Sequence, residues 1–507
     1  MTAPAAVAET HISVVFFVGD RAYKLKKPVA PGFLDFSTRE LRKAACHREV
    51  ELNRRLAPDV YLGVADLFGR DGRAIDHLVV MRRLPAERRL AALVSSGADV
   101  TDHLRELARL LAAFHATALR GPQISEGATV RAVRRRWHRN FTEMREFVGV
   151  ILDRGLFDRV EHFADRYLEG REALFEQRIA GDRIVDGHGD LLADDIFCLD
   201  DGPRVIDCIE FDDGLRANDV LADVAFLAMD LERLRAAEAA RQFLAAYREF
   251  AGETWPDSLA HHYIAERALV RSKVACLRAA QGDTASEEQA RRLLELAHDH
   301  LERGRVRLVL VGGLPGTGKS TLAAGISDIR EWTLLRSDEV RKDRAGVAHA
   351  ERVDEPYREG LYSAEQTAGT YAALLARART ALERGESVVL DASWSDARWR
   401  SAARAVADDT GTDLVELRCT TEPHVAHARI AARRRTGGDA SDATPAIAAA
   451  MAAVADPWPT AITVDTTAES SWTLVGALHA LDERGGGESR TTAVTGTSGP
   501  TEHERRG

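Results

Sequence analysis

The chain has 507 residues, 45% of them hydrophobic and 29% charged, which is the balance of a soluble globular protein with about two to four domains. Its net charge of −10 argues against nucleic acid or an anionic membrane as a general partner. The five cysteines form no C-x-x-C pair, which argues against a disulfide framework or a zinc site. Because the apolar run 14–18 is too short for a signal peptide or a membrane span, we expect a cytoplasmic protein.

A lysine-rich segment follows the turn at residues 19–20 and predicts a strand over residues 22–28. Lys24 and Lys26 are two residues apart and therefore lie on one face of that strand. Glu49 follows in a segment that predicts a helix. From the residues alone, a solvated edge strand explains these lysines as well as a binding site does.

The segment Asp-Gly-His-Gly-Asp-Leu at residues 186–191 precedes a predicted hairpin that leads into Val-Ile-Asp at residues 205–207. This order resembles the catalytic loop of aminoglycoside phosphotransferases and of related choline and sugar kinases. The resemblance implies a two-lobed, protein-kinase-like fold in which Asp190 is the catalytic acid–base and Asp207 ligates Mg²⁺. It further implies that Lys24 contacts the nucleotide phosphates and that Glu49 orients Lys24.

Two features depart from that family pattern. Leu192 replaces its second histidine, and Asp195 replaces its asparagine, keeping an oxygen ligand for Mg²⁺ while adding a negative charge. No glycine-rich loop precedes Lys24, so the first lobe is minimal. A non-catalytic first half that gates the second therefore stays open as an alternative.

Residues 286–303 predict a helix that ends at Gly304, and the apolar run 306–311 then predicts a buried parallel strand. We therefore expect a kinase-like domain over residues 1–283, a connecting helix over 284–304 and a P-loop domain over 305–484. The tail 485–507 is rich in Gly, Ser, Thr and Glu, and this composition predicts disorder.

The strongest motif is Gly-Leu-Pro-Gly-Thr-Gly-Lys-Ser at residues 313–320, a full match to G-x-x-x-x-G-K-[ST] between a predicted strand and a predicted helix. Its glycines allow backbone N–H groups to surround phosphates at the helix N-terminus. Lys319 is expected to contact the β- and γ-phosphates, and Ser320 to ligate Mg²⁺. The expected nucleotide-binding residues of this loop are Gly313, Gly316, Thr317, Gly318, Lys319, Ser320 and Thr321.

Further predicted strands at 332–336, 387–391, 414–418 and 461–464 indicate a parallel sheet with helices on both faces. Asp338 follows the first of these strands, where a carboxylate can accept the proton of an acceptor hydroxyl. Arg341 lies one helical turn on and is expected to hold the acceptor or the transferring phosphoryl group. Asp391 ends the apolar run Val-Val-Leu-Asp and is expected to hold Mg²⁺ or its water. Helix capping is the alternative role for both aspartates.

A basic segment at residues 429–435, including Arg433, leads into a flexible loop over 436–441. This pattern predicts a lid that brings arginines to the nucleotide phosphates. A solvated basic helix face is the alternative.

Together, these C-terminal motifs resemble gluconate kinases, the kinase half of phage polynucleotide kinase and the zeta toxins. The order of the two halves resembles bifunctional aminoglycoside phosphotransferase/ATP-binding proteins. The resemblance implies ATP- and Mg²⁺-dependent transfer of a phosphoryl group to a hydroxyl of a small molecule. The 5′-hydroxyl end of a nucleic acid stays open as an acceptor, and an ATP-dependent switch without a small acceptor stays open as a function.

Overall fold

The computed structural model describes residues 6–9, 12–30, 34–351, 358–436, 444–467 and 470–483. The chain forms two compact units. The first consists of Met1–Ala164, Phe175–Trp255 and Leu259–Gly304, and the second of Asp165–Leu174, Pro256–Ser258 and Arg305–Gly507. The tail predicted to be disordered and most of the predicted lid loop lie outside the described residues. Among the described residues we find no helix with the length and hydropathy of a membrane span.

The first unit begins with an antiparallel sheet in the order β1-β2-β3-β5-β4. Its strands are β1 (Ala6–Glu9), β2 (Ser13–Val18), β3 (Arg21–Lys26), β4 (Tyr61–Phe68) and β5 (Ala74–Arg82). Helix α1 (Arg39–Asn53) packs on it, and its N-terminus is capped by the Thr38 side chain. Alternate residues of β5 are buried, as a half-buried strand requires. Cys46 and Val50 of α1 meet Val79 of β5 in the core of this lobe.

The rest of the first unit is mainly helical. Its helices are α2 (Leu90–Ser95), α3 (Thr101–Thr117), α4 (Pro122–Ser125), α5 (Val130–Met144), α6 (Arg154–Leu168), α7 (Glu172–Ala180), α8 (Asp213–Arg216), α9 (Val220–Arg233), α10 (Ala237–Ala251), α11 (Asp257–Ala280) and α12 (Ala285–Arg303). Two small antiparallel sheets pair β6 (Ile184–Asp186) with β9 (Ala217–Asp219), and β7 (Ile196–Leu199) with β8 (Gly202–Val205). Helix α9 is buried from Val220 to Leu231, so it forms the centre of this lobe. The two lobes confirm the predicted kinase-like fold.

The segment predicted as a connecting helix is α12, which belongs to the first unit. It begins at Ala285 rather than at Ser286. Ser286 is buried, and its hydroxyl is bonded to the Asp283 carboxylate at 2.7 Å instead of capping the helix.

The second unit contains a five-stranded sheet in the order β11-β12-β10-β13-β14, and every pair of neighbours is parallel. The strands are β10 (Arg307–Gly312), β11 (Thr333–Arg336), β12 (Val388–Asp391), β13 (Asp413–Thr420) and β14 (Ile462–Asp465). The helices are α13 (Lys319–Arg330), α14 (Ser337–Ala345), α15 (Ala364–Glu383), α16 (Ala397–Asp409), α17 (Pro423–Thr436), α18 (Pro445–Ala453) and α19 (Ser470–Glu483). The central strand β10 is buried along its whole length, as expected when helices flank a parallel sheet. The predicted parallel sheet is confirmed.

A buried ion network stabilises the first unit around Arg178. The Arg178 guanidinium donates to both carboxylate oxygens of Asp219, at 2.8 and 2.7 Å, and to Glu253 at 2.8 Å. Because all three side chains are buried, Arg178→Met leaves two carboxylates without this partner and is expected to cost about 3–5 kcal/mol of unfolding free energy. Urea denaturation followed by circular dichroism measures this change. The control Arg105→Met removes an exposed ion pair with Glu249, and the urea concentration at the midpoint of unfolding is expected to equal that of wild type.

Candidate active sites

The loop between β10 and α13 is built from glycines in the left-handed region. Gly316 and Gly318 have φ of 84° and 79°, and Gly313 has φ of 145°. A Cβ atom at Gly316 would lie 2.6 Å from the carbonyl oxygen of Ala426, and one at Gly313 would lie 2.5 Å from Oγ1 of Thr317. Larger residues therefore do not fit, and the loop keeps its backbone close to the N-terminus of α13, where anions bind.

Side chains brace this loop from two directions. The Thr317 hydroxyl donates to the carbonyl of Leu314 at 2.8 Å, within the loop itself. The Thr466 hydroxyl, which follows β14, donates to the carbonyl of Thr317 at 2.6 Å. The backbone N–H of Thr317 also donates to the carbonyl of Leu314, at 3.3 Å, and contact of Thr317 with phosphate stays a prediction. The side chains of Lys319 and Ser320 are half-buried and make no hydrogen bond within the described ranges.

Asp391 lies at the carboxyl end of β12, in register with Val311 of β10 and Arg336 of β11. It is 4% exposed, and its Oδ1 atom has no hydrogen-bond partner among the described residues. Its Oδ2 atom accepts from Nε of Arg336 at 3.3 Å. A buried carboxylate oxygen without a partner is unfavourable, so this atom fits a hydrated cation beside the loop.

Asp338 and Arg341 form an ion pair in the first turns of α14, with 2.6 Å between Oδ1 and Nη1. The Arg341 guanidinium also lies over the Tyr362 ring, 4.6 Å from its centroid. Burial alone would lower the pKa of Arg341, but the Asp338 carboxylate outweighs it and raises that pKa. Asp338 therefore faces a permanent cation, and its role as a general base stays a prediction.

The predicted lid is described only in part. The Arg429 guanidinium donates to the carbonyl of Thr466 at 2.7 Å, and a Cβ atom at Gly318 would lie 3.5 Å from its Nη1. Arg429 therefore lies beside the phosphate-binding loop. Arg433 is on the same helix, α17, and its contact with a nucleotide stays a prediction.

In the first unit, two lysines of β3 converge on one glutamate of α1. Nζ of Lys24 lies 3.0 Å from Oε1 of Glu49, and Nζ of Lys26 lies 2.7 Å from Oε2. Lys26 also pairs with Glu210. Burial raises the pKa of Glu49, but the two lysines outweigh it and lower that pKa. Glu49 thus contacts both lysines, and not Lys24 alone as the sequence predicted.

Two aspartates of α9 hold the loop that carries Asp190. The Asp223 carboxylate accepts hydrogen bonds from the backbone N–H groups of His188 and Gly189, both at 2.8 Å. Asp230 accepts from the backbone N–H of Ala193 at 2.9 Å. Asp190 itself has a pKa raised to about 6, mainly by burial. A carboxylate with this pKa can act as a general base near neutral pH.

The pKa values of the two expected metal ligands of the first unit, Asp195 and Asp207, are shifted in opposite directions. Burial and the neighbouring Asp207 and Asp190 raise the pKa of Asp195. Lys24 lowers the pKa of Asp207 through a contact of 2.5 Å. Asp207 has φ of 65°, an unusual conformation for a residue other than glycine. Across the described part of the chain, no three His, Cys, Asp or Glu side chains form a metal-ligating cluster. Lys24 is paired with the Asp207 carboxylate, and ligation of Mg²⁺ by Asp195 and Asp207 stays a prediction.

Comparisons with known proteins agree with this division. Residues 12–261 match the family model described as "Phosphotransferase enzyme family", and residues 308–458 match the one described as "AAA domain". An uncharacterized protein of Mycobacterium tuberculosis (strain H37Rv) is 44% identical over 473 residues, or 93% of this chain and 94% of the relative. A protein of Mycobacterium bovis matches equally well. The chain belongs to their family. The predicted union of an aminoglycoside-phosphotransferase-like half with a P-loop kinase-like half is confirmed.

Each of two solved structures is similar to a different part of the chain. The GDP and kanamycin complex of an aminoglycoside phosphotransferase covers 59% of the chain and 94% of that protein, at 18% identity and a TM-score of 0.38. A gluconokinase from Sinorhizobium meliloti 1021 covers 35% of the chain and 94% of that protein, at 17% identity and a TM-score of 0.26. Likeness at this level concerns the fold alone and indicates no substrate.

The sequence analysis did not predict the two tryptophans that pack against the start of the phosphate-binding loop at Gly312. A Cβ atom at Gly312 would lie 2.4 Å from the Trp458 ring and 3.1 Å from that of Trp394. Both tryptophans are buried. The double glycine at 312–313 is the one signal that the sequence offers, because a close approach of this kind requires a residue without a side chain. Nothing local connects Trp458 with a loop that lies so far away in the sequence.

The Gly312→Ala substitution tests this support. The added methyl group has to displace either Trp458 or the loop, so we expect nucleotide affinity of the second unit to fall about tenfold or more. Titration with a fluorescent ATP derivative, in a Lys24→Met background that silences the first unit, measures it. Gly155→Ala is the control, because a Cβ atom there meets only side-chain atoms at 3.4 Å or beyond. Unchanged affinity in Gly312→Ala would show that the loop tolerates the displacement.

Proposed function

We propose that the protein is an ATP-dependent phosphotransferase with one nucleotide site in each unit, transferring the γ-phosphoryl group to a hydroxyl of a small molecule. The observation that carries this proposal is the register of the second unit's sheet. Three neighbouring strands end together at the glycine loop, at the orphaned oxygen of Asp391 and just before Asp338. In parallel sheets, ligands bind at this edge. We expect the reaction in the cytoplasm, where ATP is available.

In the second unit, Lys319 and the loop N–H groups bind the phosphates of ATP. Ser320 and Asp391 would hold Mg²⁺, which when bound neutralises phosphate charge. Asp338 accepts the proton of the acceptor hydroxyl as the hydroxyl oxygen bonds to the γ-phosphorus. The bond from that phosphorus to the bridging oxygen breaks, and ADP leaves with the electron pair. Arg341 holds Asp338 in place through its ion pair.

In the first unit, Asp190 takes the role of general base, and Lys24 binds phosphate. Asp195 and Asp207 supply oxygen ligands for Mg²⁺. Lys24 is now bonded to Asp207, so ATP has to draw its ammonium group away from that carboxylate. Glu49 then retains Lys24 at the site.

The same Lys24–Asp207 contact favours a second candidate function, in which the first unit binds ligand without catalysis and gates the second. In this function the ion pair between Lys24 and Asp207 persists, because the expected metal ligand keeps the lysine as its partner. Asp195 stands where the family pattern has an asparagine, and burial, Asp207 and Asp190 raise its pKa. In this case, acceptor turnover would depend on the second unit alone.

Separate inactivation of the units distinguishes these functions. We expect Lys319→Ala to abolish one acceptor-dependent activity and Asp190→Asn the other, because each removes a group that contacts reacting atoms. ADP release is measured against sugars, amino sugars, aminoglycosides, nucleosides and a 5′-hydroxyl oligonucleotide. Full turnover in Asp190→Asn together with none in Lys319→Ala would favour the gate. Turnover unaffected by either substitution would contradict the proposal.

The raised pKa of Asp190 predicts the pH dependence of the first unit. The base must be deprotonated, so in the Lys319→Ala protein kcat/KM should rise with pH through the pKa of about 6 and then level off. Initial rates between pH 5 and 8 measure this profile. Asp190→Glu, which keeps a carboxylate on a longer side chain, should move the inflection. A flat profile would exclude Asp190 as the titrating base.

A further inference from the structure

Helix α11 runs along the central helix α9 in the same direction. Near its start, the Tyr263 hydroxyl donates to the Asp219 carboxylate at 3.4 Å. One turn later, Nε of Arg267 donates to the carbonyl of Ala222 at 3.1 Å, and its guanidinium lies 5.1 Å from the centroid of the Phe226 ring. The contacts thus advance along both helices together. The next turn of α11 carries Arg271 toward the part of α9 that holds the loop of Asp190.

Arg267 and Arg271 have nitrogen atoms that the protein does not satisfy. Nη2 of Arg267 and Nε of Arg271 are buried and have no hydrogen-bond partner among the described residues. Arg267 is only 7% exposed as a whole. Its neighbour Glu266 accepts from Arg136 at 3.0 Å and acts on Arg267 by its charge, without a hydrogen bond between the two among the described residues. A buried N–H group without an acceptor is unfavourable unless a ligand completes it.

Both arginines act electrostatically on Asp190. Burial raises the pKa of Asp190, and Arg271 and Arg267 oppose that rise. Within the described ranges, however, neither arginine forms an ion pair with this carboxylate. Arg267 bonds to the carbonyl of Ala222, next to the aspartate that holds the loop of Asp190, and Arg271 follows one turn on. Each arginine keeps one buried nitrogen without a partner among the described residues.

We propose that Arg267 and Arg271 bind an anionic group of the acceptor, so that the first unit phosphorylates a hydroxyl compound that already bears a phosphate or carboxylate. The assignment presupposes the phosphotransferase function proposed above. Guanidinium groups bind both anions through paired N–H donors, whereas they repel polycationic acceptors such as aminoglycosides.

Helix α5 carries a basic run at residues 134–136, and its Arg136 is already engaged by the protein. Arg136 is held by Glu266 and by the carbonyl of Gly127, at 3.0 and 2.6 Å. Trp137, which interrupts the run, is fully buried and donates to His262. This face of α5 is therefore part of the packed interior.

The reaction keeps the balance of an ordinary kinase. The acceptor oxygen forms a bond to the γ-phosphorus of ATP, and the hydroxyl proton passes to Asp190. The bond between that phosphorus and the bridging oxygen breaks, and ADP leaves with the electron pair. The two arginines bind the second anionic group of the acceptor and take no part in the proton transfer.

Anion binding to the full-length protein tests the site directly. Both nucleotide sites are saturated with Mg²⁺ and a non-hydrolysable ATP analogue, and inorganic phosphate or acetate is titrated by calorimetry. We expect one anion to bind and its Kd to rise about tenfold or more in Arg271→Gln. Arg271→Lys should recover part of this loss. Arg278→Gln, on the same helix, is the control and should bind like wild type. Binding of neither anion, or equal Kd values in wild type and Arg271→Gln, would overturn the proposal.

Acceptor kinetics separate this inference from the function on which it depends. In the Lys319→Ala protein, glycerol 3-phosphate is compared with glycerol, gluconate with glucose, and both pairs with kanamycin. We expect the anionic members to be preferred and Arg271→Gln to raise their KM about tenfold, with a smaller change in kcat. Turnover that persists in Asp190→Asn would contradict the function proposed for the first unit. Asp190-dependent turnover that prefers neutral or cationic acceptors and ignores Arg271→Gln would remove the anion site alone.

Discussion

The first unit depends on one buried carboxylate, that of Asp223. It accepts hydrogen bonds from two consecutive backbone N–H groups of the loop of Asp190 and from Nε2 of His115 on α3, so it joins this loop to a second helix. Burial would raise the pKa of Asp223, but these donors lower it far below its usual range. A Cβ atom at Gly187 would lie 2.6 Å from this carboxylate, which leaves no room for a larger residue there. The position of Asp190 follows from this arrangement.

In the second unit, the position of the phosphate-binding loop depends on glycine backbone rather than on a buried charge. Its phosphate-binding loop has to pass close to neighbouring chain segments, and glycines at 312, 313 and 316 allow that approach. Thr466 then ties the loop to the ends of β13 and β14 through the carbonyls of Thr317 and Thr420. In each unit, hydrogen bonds therefore fix a loop, the loop of Asp190 in the first and the phosphate-binding loop in the second. Each unit also has buried polar atoms without a hydrogen-bond partner among the described residues.

The sequence predicts this organisation where the signal is local. The motif at 313–320 and the apolar runs before it and at 388–390 are contiguous, so they indicate the parallel sheet and the edge where Asp391 lies. The motif around Asp190 likewise indicates the kinase-like lobe. What the sequence could not show depends on tertiary packing: the contact of Lys24 with Asp207, Trp458 beside Gly312, and the orphaned nitrogens of α11. None of these contacts has a spacing that a motif could encode.

The contact between Lys24 and Asp207 has a thermodynamic consequence. One ammonium group neutralises the carboxylate that would hold Mg²⁺ in the proposed function, and it is itself the group that would bind phosphate. If Mg²⁺ or the nucleotide bound alone, it would break this pair and leave one of the two charged groups without a partner. If both bound together, the carboxylate and the ammonium group would each gain a new partner. Their affinities are then linked, and by reciprocity each must strengthen the other to the same degree. The site would respond to the Mg²⁺ complex of its nucleotide as a single ligand and discriminate against free nucleotide and free metal.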